Sequence, residues 1–111
     1  MIAELMEKHP VGIWIIDPAG KTIYASERLV QLLGTPRSEL VGKPLFTLVF
    51  PKDQNLAQRL LDAENHDCTE PFHIRLRRNN GLAVGVDVRG TPMHNAIGLL
   101  TGIIITFSVS D

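Results

Sequence analysis

Cysteine, tryptophan and tyrosine each occur once in 111 residues, and neither sign of charge is in excess. The lone Cys68 excludes an internal disulfide and suits a reducing, cytoplasmic setting. Eleven Lys and Arg against twelve Asp and Glu leave a net charge of −1. That argues against a nucleic-acid binder, which carries a basic excess. No apolar run approaches the roughly 20 residues that a membrane-spanning helix needs, so no membrane contact is expected. The N-terminus carries Glu4 and Glu7 and lacks the apolar stretch of a signal peptide. There is no internal repeat and no low-complexity segment. A nucleophile elbow, a phosphate loop and paired catalytic carboxylates are all missing, so the chain reads as a non-enzyme.

Metal chemistry is equally thin. The histidines are His9, His66, His73 and His94. His66 with Cys68 lacks the second pair that a structural zinc site requires, so no metal is expected.

What is present is an ordinary globular composition, 44% hydrophobic and 21% charged, in a length that suits one domain. The longest β-rich run is Gly98 to Val109, uncharged and free of proline. Both of its alternating faces are apolar or small, so it should lie inside a sheet rather than at an edge. Val11 to Asp17 and Lys21 to Ser26 flank Pro18-Ala19-Gly20, a three-residue turn with glycine in the left-handed position. This predicts a hairpin pairing Asp17 with Lys21, Ile15 with Ile23, and Trp14 with Tyr24. Pro71 to Val88 predicts a second hairpin. An Asn79-Asn80-Gly81 loop sets Leu76 opposite Val84, Ile74 opposite Val86 and Phe72 opposite Val88, which gathers one apolar face. Gly90 to Ile97 reads as a polar connection.

Short helices fill the middle. Ser26 can cap Glu27 to Leu33, which Gly34 closes. Ser38 to Val41 and Leu45 to Phe50 are brief, and Lys52 to Asn65 is longer, with Leu56, Leu60 and Leu61 on its apolar side. Ahead of everything, Ile2, Leu5 and Met6 form the apolar side of a short helix ended by Pro10, so residues 1–10 read as a flanking helix and 11–111 as the domain. The order of elements is that of an α+β fold: an antiparallel sheet with helices packed on one face.

Landmarks along this order resemble the Per-Arnt-Sim (PAS) sensory domain over nearly the whole chain. They are His9-Pro10-Val11-Gly12-Ile13 and Ile16-Asp17-Pro18-Ala19-Gly20-Lys21-Thr22-Ile23-Tyr24, then Leu33-Gly34, Ser38 to Lys43, and Phe50 to Asp53. Glu70-Pro71-Phe72, Leu76 to Gly81, Thr91-Pro92-Met93 and Gly98 to Phe107 complete them. No single landmark is specific; their succession in register is. Two positions depart. Ser26 stands where the family commonly has asparagine, and Ser108-Val109-Ser110 where an Asp-Ile-Thr often ends the domain.

The resemblance implies a five-stranded sheet of order 2-1-5-4-3, with helices enclosing a pocket on one face. It implies a sensory and relay module of a larger bacterial signalling protein, a two-component sensor histidine kinase first, with the output domain in cis. The alternative is a ligand-free dimerisation module of a transcription regulator or cyclase. Haem is disfavoured, because the long helix holds no histidine, although His66 follows closely. A covalent flavin adduct is disfavoured, because Pro44 to Phe50 lacks the Asn-Cys-Arg cysteine. Noncovalent flavin stays open, and the cofactor is not specified.

Two sets of site residues follow. Leu33, Leu45, Leu48, Leu56 and Leu60 should face Phe72, Ile74, Val86, Ile103 and Ile105 around a small, mainly apolar ligand. With Ile13 and Ile15 also turned to the pocket, alternation sends Trp14, Ile16, Tyr24 and Ile104 to the other side of the sheet. With Ile2, Leu5 and Met6 they form the expected homodimer face. Arg75, Arg77, Arg78 and Arg89 cluster on one hairpin; a solvated strand face is the first reading, an anion or partner site the second.

Overall fold

The computed structural model describes residues 12–65 and 70–109. The expected helix with Ile2, Leu5 and Met6, together with His66 and Cys68, lies outside the described residues. Strand β1 (Gly12–Ile16) turns into β2 (Thr22–Ala25). Three short helices follow, α1 (Glu27–Leu33), α2 (Arg37–Leu40) and α3 (Leu45–Leu48). A 3₁₀ turn, Pro51–Asp53, runs into α4 (Gln54–Leu61). Strands β3 (Phe72–Arg77), β4 (Ala83–His94) and β5 (Leu100–Val109) complete the fold. All neighbouring strands pair antiparallel, in the order β2-β1-β5-β4-β3. The α+β class, the five strands and the central place of β5 are as expected.

The β3–β4 hairpin has the expected register, with Leu76 opposite Val84, Ile74 opposite Val86 and Phe72 opposite Val88. Gly81 closes its loop at φ +85°, a conformation that L side chains resist. The first hairpin differs from expectation. Gly20 sits at φ +92° and the Asp17 N–H donates to the Lys21 carbonyl, as the turn requires. Beyond it a bulge shifts the register, so Ile15 faces Tyr24 rather than Ile23, and Trp14 faces Ala25 rather than Tyr24. The extra residue, Ile23, is left half exposed. Thr22 pairs with Ile16 on the turn side of the bulge, and its hydroxyl accepts the indole N–H of Trp14 at 2.9 Å.

Strand β4 runs further than the sequence suggests. Gly90 to His94, expected as a connection, stays paired with β5 down to Leu100. Its polar side chains do not prevent this, because the main chain of β5 supplies the partners. Pro92 fits there because β3 pairs only with Ala83 to Val88, leaving the rest of β4 an edge. Ser26 takes the N-cap position of α1, but its hydroxyl makes no cap bond; it accepts the N–H of Ile13 and ties the helix start to β1. Gly34 ends α1 as expected, its N–H donating to Val30.

The core is one continuous cluster on the helix-covered face. Leu29 and Leu33 of α1, Leu40, Leu45 and Leu60 pack against Trp14, Ile16, Ile74, Val86, Ile103, Ile105 and Phe107. One polar pin fastens the helices to the sheet edge. Arg75 of β3 grips the Asp53 carboxylate with its side chain, Nε–H to Oδ2 at 3.0 Å and Nη2–H to Oδ1 at 2.8 Å, and its backbone N–H donates to Oδ2 at 2.8 Å. The Phe50 N–H returns the tie to the Arg75 carbonyl, and the guanidinium lies over the Phe50 ring.

The Arg75 hydrogen bonds hold the Asp53 pKa below its ordinary value of 3.8, against the opposing effect of burial. The sign follows: the pin's stability is present above 3.8 and lost as the pH falls through the lower folded value. Asp53→Asn should lower stability at neutral pH by about 1–2 kcal/mol, at the low end for a lost charged acceptor because Arg75 reaches water. Thermal melts across the acid range check this: the variant's deficit should start to shrink as the pH falls below the ordinary value of 3.8 and vanish once it has passed the lower folded value, where the native carboxylate is neutralised.

Candidate functional site: the two sheet faces and the helix-edge groove

The residues expected to line a pocket do converge. Leu33, Leu45, Leu48, Leu60, Ile74, Val86, Ile103 and Ile105 all belong to the buried cluster, and Leu56 and Phe72 pack against it half buried. They meet chiefly each other. Concavities of about 200–500 Å³ open at the surface among the described residues; Leu33 and Leu48 border two of them, and Ile74, Val86, Ile103 and Ile105 line none of these. No buried side-chain nitrogen or oxygen among the described residues lacks a hydrogen-bond partner, so none points to a polar ligand in the core.

The other face needs a correction. Trp14 and Ile16, expected there, are fully buried on the helix side. The cause is the β1–β5 register, which pairs Trp14 with Ile105 and Ile16 with Ile103, so these four side chains share a face. The residues turned to the open face are instead Ile13 and Ile15, expected inside, along with Tyr24 and Ile104 as expected. Ile15 lies across from Tyr24 on one side and Ile104 on the other. All four are half buried. Thr106 lies opposite Ile13 and Thr91 opposite Ile104, so the apolar patch has a polar border.

The arginine cluster is split by the fold. Arg75 is committed to Asp53. His73 pairs with Asp87 across the hairpin, a 3.5 Å contact on the solvated side that accounts for its place. Arg89 borders a concavity with Asp87 and Ser108 near the end of β5. Arg77 and Arg78 open instead onto a groove of about 500 Å³ between α2, α3 and the end of β3, where Lys43 joins them. Sequence reading misses this grouping. Lys43 is remote in the chain and no local spacing links it to the hairpin. No group of three or more His, Cys, Asp or Glu suited to a metal occurs among the described residues.

The architecture and the apolar open face define a class: small α+β domains with one helix-covered and one exposed sheet face. Solved structures of the same fold include the PAS domain of a protein from Colwellia psychrerythraea, at 16% identity, covering 98% of this chain and 93% of that one, TM-score 0.87. The PAS domain of an HTR-like protein from Haloarcula marismortui matches at 19% identity, covering 98% and 88%, TM-score 0.81. A PAS domain from a two-component sensor histidine kinase matches at 12% identity, covering 98% and 93%, TM-score 0.81. Comparison with curated proteins gives no match. The family model for the PAS fold matches residues 1–109, and the chain belongs to the PAS family.

Proposed function

We propose that this chain is the sensory and relay module of a larger signalling protein of the sensor histidine kinase kind, acting as a homodimer through its open sheet face. The observation that carries the reading is the patch of Ile13, Ile15, Tyr24 and Ile104 on one face of a sheet whose other face holds the core. A contiguous apolar patch with a polar border is a common mark of an association surface, and tyrosine is suited to such a surface. The likeness to a histidine-kinase PAS domain supports the choice of output, which lies in a domain in cis. No helix among the described residues is long and apolar enough to cross a membrane.

The packing favours relay without an apolar ligand resident in the core. Eight of the ten side chains expected to enclose such a ligand are buried against one another. Native mass spectrometry of the purified chain tests both halves. The expected spectrum is a dimer at twice the protomer mass with no co-purified small molecule. A stoichiometric extra mass released on unfolding would restore the apolar-ligand reading, and a monomer alone would contradict the relay.

A further inference from the structure

We propose that the groove between α2, α3 and the end of β3 binds a small polyanion, a molecule with two or more carboxylate or phosphate groups. The groove holds about 500 Å³, within the range of small-molecule sites. Lys43, Arg77 and Arg78 line it against a single carboxylate, Glu39. Adjacent residues on a strand point to opposite sides. Arg77 is the last residue of β3 and Arg78 lies just past it, so the alternation ends where both cations are needed on one groove.

Arg75 holds Asp53 and Arg37 reaches Glu27, whereas none of Lys43, Arg77 and Arg78 forms an ion pair among the described residues. Three unmatched cations around one concavity repel each other, and an anion placed among them removes that cost. Two guanidinium forks present paired N–H donors to planar carboxylate or phosphate oxygens, and the ammonium adds a point charge. Thr35 contributes a hydroxyl, whereas that of Thr47 is donated to the Pro44 carbonyl, and Leu48 contributes an apolar wall against which a short carbon skeleton can lie.

The walls are fixed by main-chain bonds. The Asn79 N–H donates to the Leu33 carbonyl at 2.8 Å, and the Arg78 N–H to Leu82 at 2.9 Å. The Lys43 N–H donates to Leu40 at 3.0 Å, while its carbonyl accepts the Thr22 N–H at 2.8 Å. The groove is thus framed by α1, β2 and the β3–β4 turn before any ligand arrives. It shares no residue with the open sheet face. A polyanion bound here would be an input to the relay, yet its binding does not require the dimer, so the two proposals fail separately.

Amide NMR titration of the purified chain tests the site, with citrate and pyrophosphate as probes. Saturable shifts are expected at Lys43, Thr47 and Arg77 to Asn79 with at least one probe. A response to citrate alone assigns a polycarboxylate, and to pyrophosphate alone a phosphate ester or anhydride. A response to both assigns recognition by charge spacing. Arg77→Gln and Arg78→Gln should each weaken binding about tenfold, the loss of one charge-assisted contact. Glu39→Gln should strengthen it, and Arg89→Gln should leave it unchanged. Absence of saturable binding by either probe would overturn the proposal. So would a loss in Arg89→Gln equal to that in Arg77→Gln, which would mean diffuse attraction to a basic surface.

Discussion

Replacing Trp14 by alanine should cost about 3–5 kcal/mol, among the largest losses expected of a single substitution in this domain. The indole is fully buried opposite Ile105, and its N–H donates to the Thr22 hydroxyl, itself 1% exposed. Truncation leaves a cavity in the middle of the core and a buried hydroxyl without its donor, two separate costs. Urea denaturation checks this: the transition midpoint should fall sharply with little change in slope. Ile104→Ser, on the open face, should cost much less in the same experiment run at a dilution where the chain is monomeric, so that lost dimer contacts do not count. A comparable loss from both would mean that the two faces are not distinguished by packing.

The second large effect lies at the start of β1. Gly12 pairs with Phe107, whose ring covers the glycine so closely that an added Cβ would stand 2.1 Å from Cζ. Gly12→Val must displace a side chain that is 1% exposed and enclosed by the core. Overpacking of this kind costs about 1–3 kcal/mol, and Phe107→Ala alone about 3–5 kcal/mol. The two losses share one volume, so they should not add. The double variant Gly12→Val/Phe107→Ala should be more stable than the sum of the singles predicts, read as a coupling energy in a double-mutant cycle. Additive losses would contradict the close approach.

These two sites also show what the sequence made legible. The β3–β4 hairpin could be registered because its apolar and polar residues alternate cleanly, so only one loop length put Phe72, Ile74 and Leu76 with Val84, Val86 and Val88. Strands β1 and β5 carry no such signal. Ile13, Trp14, Ile15 and Ile16 are all apolar, as are Ile103, Ile104 and Ile105, and alternation cannot set the phase of a uniformly apolar run. The phase is fixed by pairing across β1 and β5, a long-range property, and so Trp14 and Ile16 fell on the opposite face from the one expected.

The bulge at Ile23 was hidden for a related reason. The Pro18-Ala19-Gly20 turn sets the first pair correctly, but the extra residue falls between the Ile16–Thr22 and Ile15–Tyr24 pairs and puts the small, buried Ala25 rather than Tyr24 across from Trp14. Strand β4 outran its apolar pattern because backbone pairing with a long neighbour needs no apolar side chain. Of the candidate site, the open-face positions Tyr24 and Ile104 and the convergence of the core leucines were readable. The groove was not, since it depends on Lys43 meeting Arg77 and Arg78 across three elements.

The open sheet face as a homodimer interface is the central claim, and sedimentation velocity of the chain and of an Ile15→Lys/Ile104→Lys variant tests it most directly. Both side chains are half buried on the face away from the core, and they lie directly opposite each other across β1 and β5. Two lysines placed there keep the fold, through their long apolar stems, but put like charges against like at a two-fold interface. The unmodified chain should sediment as a dimer and the variant as a monomer with an unchanged far-ultraviolet circular dichroism spectrum. An unmodified chain that stays monomeric at high concentration, or a variant that remains a folded dimer, would contradict the assignment of this face.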